Sequence, residues 1–188
     1  MRVEIRLAGS GGQGLITAAI ILAEAAVGEG KHVCQTQSYG PEARGGACKA
    51  EVVLSDRPVH YPKTEHLDVL VAMTQEACDR YFHDLKDGGL LIVDADLVPS
   101  APTTAALSIA LTRRVREALG RDVYANLAAL GALVGASGVV GQQVLEAAVA
   151  ARVPRGTEEP NRSALLLGLE AGREAFDSRR KEDFSADA

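Results

Sequence analysis

Apolar and polar positions alternate at the start of the chain. Val3, Ile5 and Leu7 point one way and Arg2, Glu4 and Arg6 the other, which is the period of a half-buried strand. The period then changes. The segment GSGGQG at residues 9–14 is followed by LITAAIILAEAAV at residues 15–27. That stretch is apolar nearly all round, so it predicts a mostly buried helix packed on a sheet. Gly28 and Gly30 end it. KHVCQ, residues 31–35, predicts a short strand. Strand, glycine loop, helix and strand form one βαβ unit, for which a parallel pair with a right-handed crossover is expected.

Residues 36–46, TQSYGPEARGG, are rich in turn formers and predict a loop. Over residues 47–55 alternation returns, with Cys48, Ala50, Val52 and Leu54 against Lys49 and Glu51. This predicts a strand with one solvated or interface face. Pro58 and Pro62 confine SDRPVHYP to a turn or an edge. LDVLVAM (67–73) and LLIV (90–93) are near-continuous apolar runs, as in strands covered on both faces. A helix over 75–85 lies between them, stopped by Lys86, Asp87, Gly88 and Gly89. A last strand fits 105–111. Helices are predicted over 112–119, 123–134, 142–152 and 162–176, separated by Gly120, by Gly135 with Gly138, and by VPRGTEEPN. The charged tail, 177–188, is expected to fray. The pattern gives an α/β fold, Rossmann-like, with a mainly parallel sheet, flanking helices and a helical C-terminal third, as a single domain over 1–176.

Composition narrows the chemistry. The chain has 188 residues, enough for a real core. With 47% hydrophobic and 24% charged residues it is an ordinary globular sequence. Its formal net charge of −5 argues against a nucleic-acid surface. Cys34, Cys48 and Cys78 include no C-x-x-C and cannot supply an iron–sulfur cluster. His32, His60, His66 and His83 lack zinc-ligand spacing, so no metal site is expected. MRVEIRLAGS does not read as a signal peptide. The apolar run at 15–27 is broken by Thr17 and Glu24 and is too short to span a bilayer. A cytoplasmic protein without membrane contact is expected.

Gly9, Gly11 and Gly14 fit G-x-G-x-x-G between a strand and a helix. Glycines allow a ligand to approach the backbone, and a helix start offers free N–H groups to a phosphate. Ser10, Gly12 and Gln13 complete a candidate anion cradle; a loop that only permits tight packing is the bland alternative. A dinucleotide site would add an acid at the end of the second strand. Here Gln35, Thr36 and Gln37 stand there instead, which counts against a simple NAD enzyme. The second loop holds Tyr39, Gly40, Pro41, Glu42, Arg44, Gly45 and Gly46. Arg44 suits either a forked contact to phosphate or carboxylate, or an ion pair with Glu42 at a subunit contact. Asn126, inside an apolar helix, needs a partner if buried, and Asn161 after Pro160 suits a helix cap.

GSGGQG, QTQSYGPEARGGACKAEVVLSD, Tyr61–Pro62, YANLAALGAL around Asn126 and PNRSALLLG around Asn161 together resemble the gamma subunits of 2-oxoacid:ferredoxin oxidoreductases. The YGPEARGG form looks most like the 2-oxoglutarate enzymes, with pyruvate, branched-chain and aryl 2-oxoacids as alternatives. The resemblance implies oxidative decarboxylation of a 2-oxoacid with coenzyme A to acyl-CoA (here succinyl-CoA) and CO2, with electrons passed to ferredoxin. It implies thiamine diphosphate, Mg2+ and [4Fe-4S] clusters on partner alpha and beta subunits, with a ferredoxin-like subunit as a further candidate partner. This chain then has no catalytic residues of its own and is inactive alone. Two readings are implied for its loops. Residues 9–14 with Arg44 hold coenzyme A, and residues 39–46 lie at the contact with the thiamine-bearing chains. The rivals are a stand-alone nucleotide-binding oxidoreductase and a scaffold subunit.

Overall fold

The structure, a computed structural model, describes residues 1–39 and 47–186. Six strands form one sheet: β1 (Arg2–Ser10), β2 (His32–Tyr39), β3 (Ala47–Ser55), β4 (Leu67–Ala72), β5 (Leu85–Asp94) and β6 (Leu107–Ile109), in the order β2-β3-β1-β4-β5-β6. The pairings β1–β4, β4–β5 and β5–β6 are parallel, and β3 alone runs against both its neighbours. The α/β class and the mainly parallel sheet are therefore as expected.

The first unit differs from its expected pairing. β1 and β2 are not neighbours, because β3 turns back between them, from Arg2↔Ser55 to Ser10↔Ala47 on one side and from His32↔Ser55 to Tyr39↔Cys48 on the other. The reason is burial. Val52, Val53 and Leu54 are fully buried, so β3 needs cover on both faces and both edges. β2, with Gln35, Thr36 and Gln37, tolerates the edge. It also runs on to Tyr39, into what the sequence suggested was loop. The polar face of β3 is not solvated either: Glu51 is 8% exposed.

The helices are α1 (Leu15–Gly28), α2 (Gln75–Tyr81), α3 (Leu111–Leu119), α4 (Ala125–Ser137), α5 (Gln142–Arg152) and α6 (Glu158–Ala186). The larger core joins one sheet face to α1, α3, α4, α5 and α6. A smaller core around Leu70, Ala77, Cys78 and Leu91 joins the other face to α2. Several boundaries move: the helix expected over 75–85 is α2 only to Tyr81, and the strand expected over 105–111 is β6 at Leu107–Ile109. Lys86 to Gly89 belong to the irregular start of β5, where Gly88 has a φ of 74° and the ladder with β4 shifts register after Leu67. Gly135 lies inside α4, and the helix ends at Gly138 in a left-handed conformation. α6 starts earlier than expected and continues helically through 177–186. Pro160 sits in its first turn, where no intrahelical donor is lost.

α4 is buried along almost its whole length. α6 crosses it at backbone contact. A Cβ on Gly131 would come within 2.2 Å of the Leu165 carbonyl oxygen, and one on Gly172 within 2.3 Å of that of Ala132. Glycine is required here for close approach of α6 to α4. Among the described residues no helix is long and apolar enough to cross a membrane.

Candidate functional site

The parallel strands β1 and β4 end side by side, and the glycine loop leaves the end of β1. Gly14 takes the N-cap position of α1 with a φ of 75° and supplies no side-chain cap. No acidic residue occupies the first turn. The helix's own first turn therefore sets no carboxylate at its positive end, which suits an anion site. Gly12, with a φ of 95°, has open space where a side chain would stand.

The loop is fastened at two points. The Gln13 side-chain Oε1 accepts from Ser10 N–H at 2.8 Å, and its Nε2 donates to the Met73 carbonyl at 3.2 Å. Gly9 is bare because this amide fills its place: a Cβ there would lie 2.2 Å from Gln13 Oε1. Asn126, at the start of α4, donates from Nδ2 to the Gly14 carbonyl at 3.2 Å. It is 8% exposed. The expectation of a partnered amide is met, and the partner is the glycine loop itself.

A cleft of about 370 Å³ opens beside the loop, lined among others by Gly12, Gln13, Met73, Thr112, Arg116 and Asn126. Leu97 and Val123, two exposed large apolar side chains, also line it. Thr112 is held from beneath by the fully buried Asp94, whose Oδ2 accepts from Thr112 N–H at 2.9 Å and from its hydroxyl at 2.5 Å. Arg116 pairs with Asp122 at 2.9 Å in solvent, and this hydrogen bond holds the Asp122 carboxyl below its ordinary range. Such an exposed pair is readily exchanged for a bound anion. Sequence reasoning missed Met73, Leu97, Thr112 and Arg116. Only the strand-end position of Met73 carried a signal.

Gly40, Pro41, Glu42, Arg44, Gly45 and Gly46 lie outside the described residues. Their anchors are defined: Tyr39 pairs through its backbone with Cys48, and Ala47 pairs with Ser10. The two motifs, separate in sequence, thus start from adjacent positions at one end of the sheet. β3 inserts where a dinucleotide fold would set its second strand beside β1, so the geometry of a ribose-binding acid is absent from this position. Asn161 is not the cap of α6. It sits one turn in, with Nδ2 donating to the Thr157 carbonyl at 2.7 Å and hydroxyl at 3.1 Å, and it is not among the residues of the cleft.

On the opposite sheet face Glu51 receives Arg6 Nη2 at 2.6 Å, Thr64 Oγ1 at 2.7 Å and Lys49 Nζ at 3.0 Å. Burial pushes its carboxyl up, but these hydrogen bonds outweigh burial and hold it below the ordinary value. Burial raises the Cys48 and Cys78 thiols, the latter with help from the charge of Asp79, so neither is poised as a nucleophile. Among the described residues no three His, Cys, Asp or Glu side chains group as a metal site.

A glycine loop at the end of a mainly parallel sheet, an open helix start and a cleft lined by an α4 asparagine define the candidate site of this α/β chain. The chain belongs to the pyruvate ferredoxin/flavodoxin oxidoreductase family, which it matches over residues 4–171. Within that family it is a gamma-type subunit of the 2-oxoacid:ferredoxin oxidoreductases. It is 46% identical to the 2-oxoglutarate synthase subunit KorC of Methanocaldococcus jannaschii, over 93% of this chain and 96% of that one. It is 36% identical to the pyruvate/ketoisovalerate oxidoreductases common subunit gamma of Thermococcus litoralis, over 78% and 84%. A keto/oxoacid ferredoxin oxidoreductase gamma subunit from Geobacter sulfurreducens superposes with a TM-score of 0.80 at 47% identity, covering 90% of this chain and 98% of the other.

Proposed function

We propose that this chain is the gamma subunit of a 2-oxoglutarate:ferredoxin oxidoreductase and that it binds the phosphates of coenzyme A beside an active site carried by alpha and beta partners. The carrying observation for the substrate is the 46% identity with KorC over nearly the full length, against 36% with the pyruvate/ketoisovalerate subunit. For coenzyme A it is the bare start of α1 facing a cleft of ligand size.

In the overall reaction 2-oxoglutarate and coenzyme A yield succinyl-CoA and CO2, and the released electron pair passes to ferredoxin. Thiamine diphosphate with Mg2+ on the partner chains would supply the decarboxylation chemistry, and [4Fe-4S] clusters there or on a ferredoxin-like subunit would supply the electron transfer. The residues here bind and orient. Backbone N–H groups of residues 11, 12, 14 and 15 face a phosphate, with Gly9, Ser10, Gly12 and Gly14 giving access and Gln13 shaping the loop. Asn126 sets the cleft wall. Arg44 and the loop from Tyr39 to Gly46 meet the thiamine-bearing chains or clamp a second phosphate. Asn161 secures α6 only. The functional unit is residues 1–176, and the setting is cytoplasmic.

The test is to tag this chain, isolate its native complex and offer 2-oxoglutarate, pyruvate, 2-oxoisovalerate and an aryl 2-oxoacid. Coenzyme A-dependent dye reduction with 2-oxoglutarate preferred supports the reading. Preference for another acid overturns the substrate, and turnover by the chain alone overturns the subunit role.

A further inference from the structure

The amide of Gln13 connects two strand ends. Oε1 accepts from Ser10 N–H at the exit of β1, and Nε2 donates to the Met73 carbonyl at the exit of β4. The backbone adds Gln13 N–H to the Ser10 carbonyl at 3.3 Å, so residues 10–13 close as a turn around their own side chain. Gly9 completes the arrangement, since any Cβ there would collide with Gln13 Oε1 at 2.2 Å.

We infer that Gln13 is a positioning residue: it fixes the glycine loop in its anion-receiving shape through Ser10 and Met73. This rests on the coenzyme A reading above. The satisfiability of the side chain carries it. A glutamine offers a carbonyl oxygen and an NH2 group with two donors, and here the oxygen and one of the two N–H groups are engaged by the backbone at two strand ends. The two bonds require opposite polarity, so only an amide fits. Glutamate keeps the acceptor for Ser10 but sets a carboxylate against the Met73 carbonyl. Methionine keeps the shape and loses both bonds. Freed from Met73, the loop is no longer tied to β4, and the N–H groups that meet a phosphate lose their common direction. Pre-set donors are worth more than mobile ones because the ordering cost falls before binding.

The experiment uses the intact complex and reads two quantities. The first is hydrogen–deuterium exchange of the peptide covering residues 8–14 without coenzyme A. The second is the split between KM for coenzyme A and kcat at saturating 2-oxoacid. Gln13→Glu and Gln13→Met are expected to speed exchange in that peptide alone and to raise KM by on the order of tenfold, the size of one lost directional hydrogen bond, with kcat within about twofold. Gly9→Ala, which evicts the side chain, is expected to match them. The double variant Gly9→Ala, Gln13→Ala is expected to fall short of the sum of the single variants, because they share the Gln13 contact, while a Cβ at Gly9 also meets Leu15 Cδ1 at 2.9 Å and Met73 Cβ at 3.2 Å whatever stands at 13. Unchanged exchange in the Gln13 variants overturns the inference, since a residue that only touches ligand would leave the ligand-free loop as it was. Faster exchange with an unchanged KM also overturns it. Gly12→Leu separates this from failure of the coenzyme A reading: if that variant too leaves KM unchanged, the cleft does not hold coenzyme A, whereas if it alone raises KM, only the role of Gln13 falls.

Discussion

Gly168 on α6 lies against the Ala128 carbonyl on α4 so closely that a Cβ at Gly168 would sit 2.0 Å from that oxygen. Asn126 is two residues before Ala128 on the same helix, and it holds the Gly14 carbonyl of the glycine loop. The close α4–α6 contact and the bond to the glycine loop thus lie within two residues of each other on α4. Gly168→Ala forces two backbones apart in a packed core, which costs about 1–3 kcal/mol. For a chain of this size each kcal/mol lowers Tm by roughly 2–4 °C. A thermal melt of the variant checks this, and Glu170→Ala, an exposed position on the same helix, is expected to shift Tm less.

Asn126→Asp is expected to act on ligand binding. The carboxylate cannot donate to the Gly14 carbonyl and adds a negative charge beside the bare start of α1, where an anion is to bind. KM for coenzyme A in the assembled complex should rise about tenfold or more. Asn126→Leu, which loses the bond without adding charge, should raise it less. Steady-state titration of coenzyme A against both variants measures the difference.

Glu51 gives a pH signature. Its carboxyl is held below its unfolded value, because hydrogen bonds from Thr64, Arg6 and Lys49 outweigh the opposing effect of burial. A depressed carboxylate stabilises the fold above the unfolded pKa of about 4.3, and that contribution is lost as pH falls through the folded value. Glu51→Gln should flatten the acid limb of the stability curve. Glu51→Ala should cost about 3–5 kcal/mol at neutral pH, since Arg6 is then left buried with Asp84 as its remaining carboxylate. Urea unfolding between pH 7 and pH 4 reads both effects.

Elements with a strong local period were legible in the sequence. The apolar α1 and the run that became β4 state their burial in their own residues. The alternation of β1 marked the strand but not its burial: the expected half-buried strand is covered on both faces, with Glu4 6% and Arg6 4% exposed, because Glu4 accepts from the Glu65 N–H and Arg6 pairs with Glu51. The order of strands was not. Nothing local says that β3 enters between β1 and β2; the clue was the unbroken Val52, Val53, Leu54, which demands cover on all sides. Gly135 read as a break because glycine weakens a helix interior. With Gly131, Gly168 and Gly172 at spacings of four it marks a helix contact instead. In the site, the glycine loop was legible as a motif, but the Gln13 bond to Met73 spans 60 residues and the Asn126 bond to Gly14 spans 112. Such contacts belong to the topology and leave no mark in either segment.

Gly12→Leu in the isolated complex tests the central claim most directly. Gly12 has a φ of 95° and faces open space, so a large side chain disturbs the loop and fills the approach to the start of α1 without burying a clash in the core. The account predicts normal recovery of the partner chains, decarboxylation of the 2-oxoacid in the absence of coenzyme A retained, and KM for coenzyme A raised by at least about tenfold. A complex that assembles and shows the wild-type KM for coenzyme A would contradict it.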